Sequence, residues 1–124
     1  MKYFNSLIIL LLTVALLLSV LLPPKDNRPF VSINRENFEI LIADTSVTVI
    51  DVRTPEEYER EHFPRAININ VQRRDFERRI DSLDNTKIVA IYCRDGNRSK
   101  TAAAILSVHG FVVFELNEGI ERRR

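Results

Sequence analysis

The chain predicts an α/β domain, a five-stranded and mainly parallel sheet flanked by helices, preceded by a hydrophobic N-terminal helix. Three observations predict it. Short β-branched runs alternate with amphipathic stretches from Phe30 onward, the pattern of parallel strands joined by crossover helices. One run, "KIVAIYC" (Lys87 to Cys93), carries too little polarity for a half-exposed strand and suits a central strand covered on both faces. Leu7 to Leu22 is apolar apart from Thr13 and Ser19, with no charge between Lys2 and Lys25, so it cannot belong to a solvated surface.

Residues 1–22 are therefore a membrane-directed leader. A signal peptide wants a short apolar core and a small-residue cleavage site, whereas a spanning helix wants roughly 20 apolar residues. Cutting at Thr13 and Ala15, the small residues at the right separation, would leave "LLLSVLL" exposed, which favours an uncleaved anchor over a secreted product. Export is the default fate of a domain carried behind such a leader. The expected location is thus a membrane-anchored domain on the extracytoplasmic side, periplasmic in a bacterium. Residues 23–29 contain "PPKDNRP", a stiff polar linker.

Beyond it, 30–124 forms the domain. Setting aside Lys2, Lys25, Arg28 and Asp26, the 18 basic and 17 acidic residues fall to 15 and 16, a formal charge of −1. A near-neutral domain is no candidate for nucleic acid. The terminal Arg122, Arg123 and Arg124 read as a solvated tail. One cysteine and two histidines, His62 and His109, supply neither an internal disulfide nor a structural zinc cluster.

Within the domain, Phe30 to Ile33 is the first strand, and Asn34 caps a helix carrying Phe38, Leu41 and Ile42 on one face. Val47 to Val52 is the second strand. In "TPEE" (Thr54 to Glu57) a capping Thr, a proline at the first helical position and a Glu three residues past the cap start a short helix running to about Arg60. Ala66 to Ile69 is the third strand, and Val71, Phe76, Ile80 and Leu83 mark the apolar side of a helix whose charges face water. Lys87 to Cys93 is the fourth strand. A helix from about Ser99 to His109 comes next, stopped by Gly110, and Phe111 to Leu116 is the fifth strand.

Ligands of such sheets bind where strand carboxyl ends meet helix amino ends, and Cys93 sits at such an end. A free cysteine after an apolar strand is commonly a small core filler. The residues after it point elsewhere. Between strand and helix, Arg94, Asp95, Gly96, Asn97 and Arg98 form a short loop in which backbone N–H groups can turn inward beside the helix dipole. Arg94 and Arg98 add full positive charges, Gly96 permits a tight turn, and Ser99 is a candidate helix cap. These surroundings favour a thiolate, the nucleophilic form of a cysteine.

Together these residues resemble the rhodanese (sulfurtransferase) domain family. "VIDVRTPEEYEREHFPRAINI" (Val49 to Ile69) is similar to the family's early segment, with its Asp-Val-Arg and its His-x-Pro-x-Ala-x-Asn turn. "IYCRDGNRSKTAAAIL" matches the active loop Cys-x-x-Gly-x-Arg-Ser, and "GFVVFELNEGI" matches the last strand and its turn, so the likeness covers Phe30 to Ile120. The resemblance implies a persulfide enzyme with no cofactor. Cys93 takes the outer sulfur of thiosulfate or another sulfane donor and passes it to a thiol, cyanide or a protein acceptor. The amides from Arg94 to Ser99 form the anion cradle. Arg98, with a planar fork for two oxygens, is expected to orient the donor, Asp95 to form the turn, and Asp51 and Arg53 to brace the loop's floor by charge pairing. His62, before Pro64, is expected to be structural.

Glu61 and Arg65 stand where glycine is common beside His62 and Pro64, so that turn is expected to be reshaped. Glu118 precedes Gly119 where two glycines are frequent, and the sequence ends at Arg124 where a closing helix normally continues in the family, so the first strand's outer flank is expected to be under-covered. Two rivals remain. Cell-cycle type tyrosine phosphatases share the fold but separate cysteine and arginine by five residues, whereas four lie between Cys93 and Arg98, a tight fit for phosphate or arsenate that suits one sulfur atom. A membrane-tethered, non-catalytic binding module is the other.

Overall fold

A computed structural model describes residues 2–22 and 29–121; the linker before Pro29 and the terminal arginines lie outside them. The first helix, α1 (Lys2–Leu21), is exposed from Tyr3 onward. Its segment Tyr3–Leu21, 19 residues with a mean hydropathy of 2.6, is long and apolar enough to cross a membrane, and a signal sequence meets the same test. Its two polar side chains are satisfied locally: Thr13 donates to the Leu10 carbonyl at 2.8 Å and Ser19 to that of Leu16 at 2.7 Å. Such back-bonding lets a hydroxyl sit in an apolar helix.

The domain then runs β1 (Val31–Ile33), α2 (Arg35–Ile42), β2 (Thr48–Asp51), α3 (Pro55–Arg60), β3 (Ile67–Asn68), α4 (Phe76–Asp81), β4 (Val89–Tyr92), α5 (Asn97–Val108) and β5 (Val113–Leu116). The strands form one parallel sheet in the order β1-β5-β4-β2-β3, with β4 at its centre and buried throughout. Side chains alternate across a strand. Val89, Ile91 and Cys93 therefore join Ile50, Val113 and the Ala102, Ala103 and Leu106 face of α5, while Ala90 and Tyr92 meet Phe38 and Leu116 on the opposite side. The apolar run of β4 is explained by burial on both faces, since α2 and α5 lie on opposite sides of the sheet.

Caps fall where the residue types demand. Asn34 accepts the Asn37 N–H at 2.9 Å, and Thr54 and Glu57 form a reciprocal capping box at the start of α3. Several boundaries differ from those expected. α4 is a short helix, with Val71 and Leu83 packed from flanking turns, and β3 has only two residues. α5 begins at Asn97, two residues before the expected start, because Gly96 at φ 95° turns the chain and occupies the cap position. Ser99 is thus no helix cap. It is buried in the first turn, its hydroxyl directed inward.

The turn after α3 is held by side chains. Arg65, standing where glycine is common, adopts φ 63°. Its guanidinium reaches the Ile42 carbonyl and donates to that of Asp44 at 3.1 Å, contacts that offset the cost of a left-handed residue. His62 stacks on Tyr58 with ring centroids 3.9 Å apart, and its Nδ1 lies 2.8 Å from the Tyr58 carbonyl oxygen. His109 pairs with Asp81 and Glu77, which raise its pKa.

Candidate active site

Cys93 comes directly after β4, and none of its surface is exposed. The Gly96 N–H donates to its sulfur at 3.1 Å, while the thiol lies 3.4 Å from the Ser99 hydroxyl, placed to donate to it. The head of the 12-residue α5 thus meets the sulfur through one loop amide and one first-turn side chain. Both that amide and the helix's positive end favour negative charge on sulfur.

The loop residues divide by what they touch. Asp95 accepts the Asn97 N–H at 3.1 Å and the Asn97 side-chain amide at 3.3 Å, forming the turn and occupying one amide of the expected cradle. Arg94 points to the surface and pairs with Glu121 at 3.0 Å, both more than half exposed. Arg98 turns back to α3 and grips Glu57 with two bonds of 2.7 and 2.9 Å. That fork holds the Glu57 carboxyl at about 2, and the same bonds raise Arg98, with Cys93 contributing. Glu57 therefore serves both the capping box and the loop arginine.

Asp51 and Arg53 form a buried pair at 2.8 Å, and Arg53 donates to the Glu61 carbonyl while its guanidinium lies over the Tyr92 ring. Burial alone would lower the Arg53 pKa, but Asp51 more than reverses it. The pair braces Tyr92, the residue before Cys93, and the turn after α3. Tyr92 accepts the Phe63 N–H at 3.1 Å, and burial pushes its own pKa up.

Sequence reasoning missed Glu115. It is a fully buried acid on β5, on the same face as Val113, where a strand's alternation leads to the core. Ser99 donates to it at 2.9 Å, Lys100 pairs with it at 3.1 Å, and Ser32 bonds it from β1. The available signal was a lone acid inside the apolar run "FVVFEL".

The turn after β5 clasps the loop from outside. Ile120 N–H donates to the Cys93 carbonyl at 2.9 Å, and Glu121 N–H to that of Arg94 at 3.1 Å. A Cβ on Gly96 would lie 2.1 Å from the Asn117 carbonyl oxygen, and one on Gly119 2.1 Å from that of Arg94. Both glycines have positive φ. Close backbone approach is therefore what these two positions require.

The family model described as "Rhodanese-like domain" matches residues 35–122. The chain is 38% identical over 74 residues to the thiosulfate sulfurtransferase PspE of Escherichia coli, an alignment covering 58% of this chain and 69% of that protein. It is 34% identical over 90 residues to the tRNA uridine(34) hydroxylase of Pelagibacter ubique, covering 71% of this chain but only 30% of that longer protein. Among solved structures, the rhodanese-related protein of Thermoplasma volcanium superposes with a TM-score of 0.66 at 30% identity, covering 74% of this chain and 88% of that one.

Proposed function

The chain belongs to the rhodanese-like domain family, and from that membership we propose that it is a sulfurtransferase working through a Cys93 persulfide, with thiosulfate or a related sulfane compound as donor. The observation that carries this reading is the sulfur at the head of α5, accepting the Gly96 amide inside a Cys-x-x-Gly-x-Arg-Ser loop. The Cys93 thiolate attacks the outer sulfur of thiosulfate, the S–S bond breaks, and sulfite leaves with the bonding pair. An acceptor thiolate then takes the terminal sulfur and restores the Cys93 thiolate. Donor, leaving group and persulfide are all anions, which the amide, the dipole and Arg98 favour.

Since Cys93 is fully buried, a donor reaches it only when neighbouring loop or side-chain atoms shift. Arg98 can meet the donor by exchanging the Glu57 carboxylate for the donor's oxygens. The full chain in detergent, incubated with thiosulfate, is expected to gain the mass of one sulfur with release of sulfite. Cys93→Ser is expected to gain none. A wild-type protein that stays unmodified and releases no more sulfite than Cys93→Ser leaves a non-catalytic binding module as the better reading.

The N-terminal helix, on this proposal, is an uncleaved anchor holding the domain outside the cytoplasm. Protease added outside the membrane that carries the helix should then digest the domain without lysis. Digestion only after lysis would put the domain on the inner side.

A further inference from the structure

We propose that Glu115 is the proton acceptor for the Cys93 thiol, acting through the Ser99 hydroxyl. The inference rests on the reading of Cys93 as the nucleophile, and it assigns a task to a buried acid that the sulfur chemistry leaves unused. Glu115 touches neither substrate nor sulfur, so it is a positioning residue.

The geometry is a chain of three groups. The thiol is placed to donate to Ser99 Oγ at 3.4 Å, and Ser99 Oγ donates to Glu115 Oε2 at 2.9 Å. Ser99 has one hydroxyl hydrogen and two acceptors in reach, Glu115 and the Gly96 carbonyl at 3.1 Å. A bond to a carboxylate is the stronger and here the shorter, so the hydrogen lies toward Glu115 and a lone pair faces the thiol. In that state Ser99 stabilises the thiol and offers nothing to a thiolate.

One concerted step reverses the chain. The Cys93 S–H bond breaks, its proton passes to Ser99 Oγ, and the Ser99 hydrogen passes to Glu115 Oε2. The sulfur keeps the electron pair and becomes a thiolate accepting the Ser99 O–H in addition to the Gly96 N–H. The new Glu115 acid donates back to Ser99. Every bond is satisfied before and after, and the buried site's net charge does not change, which matters where burying an added charge is costly. When the thiolate is reprotonated the same path runs backward.

The charged groups facing this chain come from known elements. Lys100 of α5 meets Glu115 Oε1 at 3.1 Å, and Ser32 of β1 bonds the same oxygen. On the sulfur side is Arg98, which interacts with Cys93 and Asp95 and is tied to Glu57 of α3, whereas Arg94 turns to the surface and pairs with Glu121. Lys100 and Ser32 hold Oε1, leaving Oε2 for the Ser99 hydrogen.

The test is the pH dependence of Cys93 alkylation by iodoacetamide, followed by intact mass on the full chain in detergent. Glu115→Gln keeps the shape but cannot take a proton. Its alkylation midpoint is expected to move up by a pH unit or more, a loss of about tenfold in rate on the acidic side. Ser99→Ala, which leaves Lys100 and Ser32 on Glu115, should shift the midpoint the same way, and Ser99→Thr should restore it. A midpoint unchanged in Glu115→Gln overturns the proposal even where Ser99→Ala raises it, since loss of the Ser99 hydroxyl by itself removes a bond to the thiolate. So does a downward shift in Glu115→Gln, because that is what removing a nearby negative charge does by itself. Should Glu115→Gln fail to fold, Glu115→Asp, whose carboxylate is one methylene short of Ser99, takes its place, with an upward shift expected and an unchanged midpoint overturning the proposal. Iodoacetamide supplies its own electrophile, so the midpoint judges the relay whether or not thiosulfate loads the sulfur.

Discussion

Gly96→Ala is expected to cost on the order of 2–5 kcal/mol of stability, summing a left-handed alanine and overpacking against backbone, and to slow persulfide formation roughly 100-fold. At φ 95° the new Cβ would sit 2.1 Å from the Asn117 carbonyl oxygen, which belongs to the main chain and cannot rotate away. Relief requires the loop to withdraw from the turn after β5. That withdrawal takes the Gly96 N–H off the sulfur, so stability and rate fall together. Urea titration and persulfide mass read the two effects. Gly110→Ala is the control: it shares the positive φ, 88°, but a Cβ there meets nothing within 4 Å. It should lose only the backbone term and keep the rate.

Glu57→Gln separates holding the loop from binding the donor. The Glu57 carboxyl stands at about 2 in the folded protein against an ordinary 4.5, chiefly through the Arg98 bonds. A depressed carboxyl stabilises the fold above its unfolded value and loses that contribution as pH falls through its folded value. The wild type should therefore lose about 2 kcal/mol, after allowance for solvent screening, as pH drops from about 5 to about 2. Glu57→Gln should start lower by a similar amount and lack that step. On the proposed function the donor exchanges with Glu57 on Arg98, so the substitution is expected to lower the donor KM up to about tenfold, the worth of one charge-assisted bond, with kcat little changed. A KM that does not fall would mean that Arg98 serves the loop rather than the donor.

Much of the site was legible because it is local. Thr54 and Glu57 are three residues apart, so their capping box is written in four letters. The turn from Cys93 to Gly96 and the helix after it arise from one glycine and a change of hydrophobic period. Ser99 reads as a helix cap for a local reason too, but Gly96 already supplies the turn and takes the cap position.

By itself the sequence determined the order of strands and helices, the two-faced burial of β4 and the placing of Cys93 at a helix head, since periodicity, caps and turn residues act over a few positions. Tertiary structure alone decided which polar side chains meet across separate elements. Arg98 meets Glu57 across 41 residues, Ser99 meets Glu115 across 16, and Gly96 touches Asn117, because parallel strands and their crossovers bring distant segments to one end of the sheet. A buried charge must find a partner wherever the fold puts one, and where that partner stands on another element, as for Glu115, no local pattern names it.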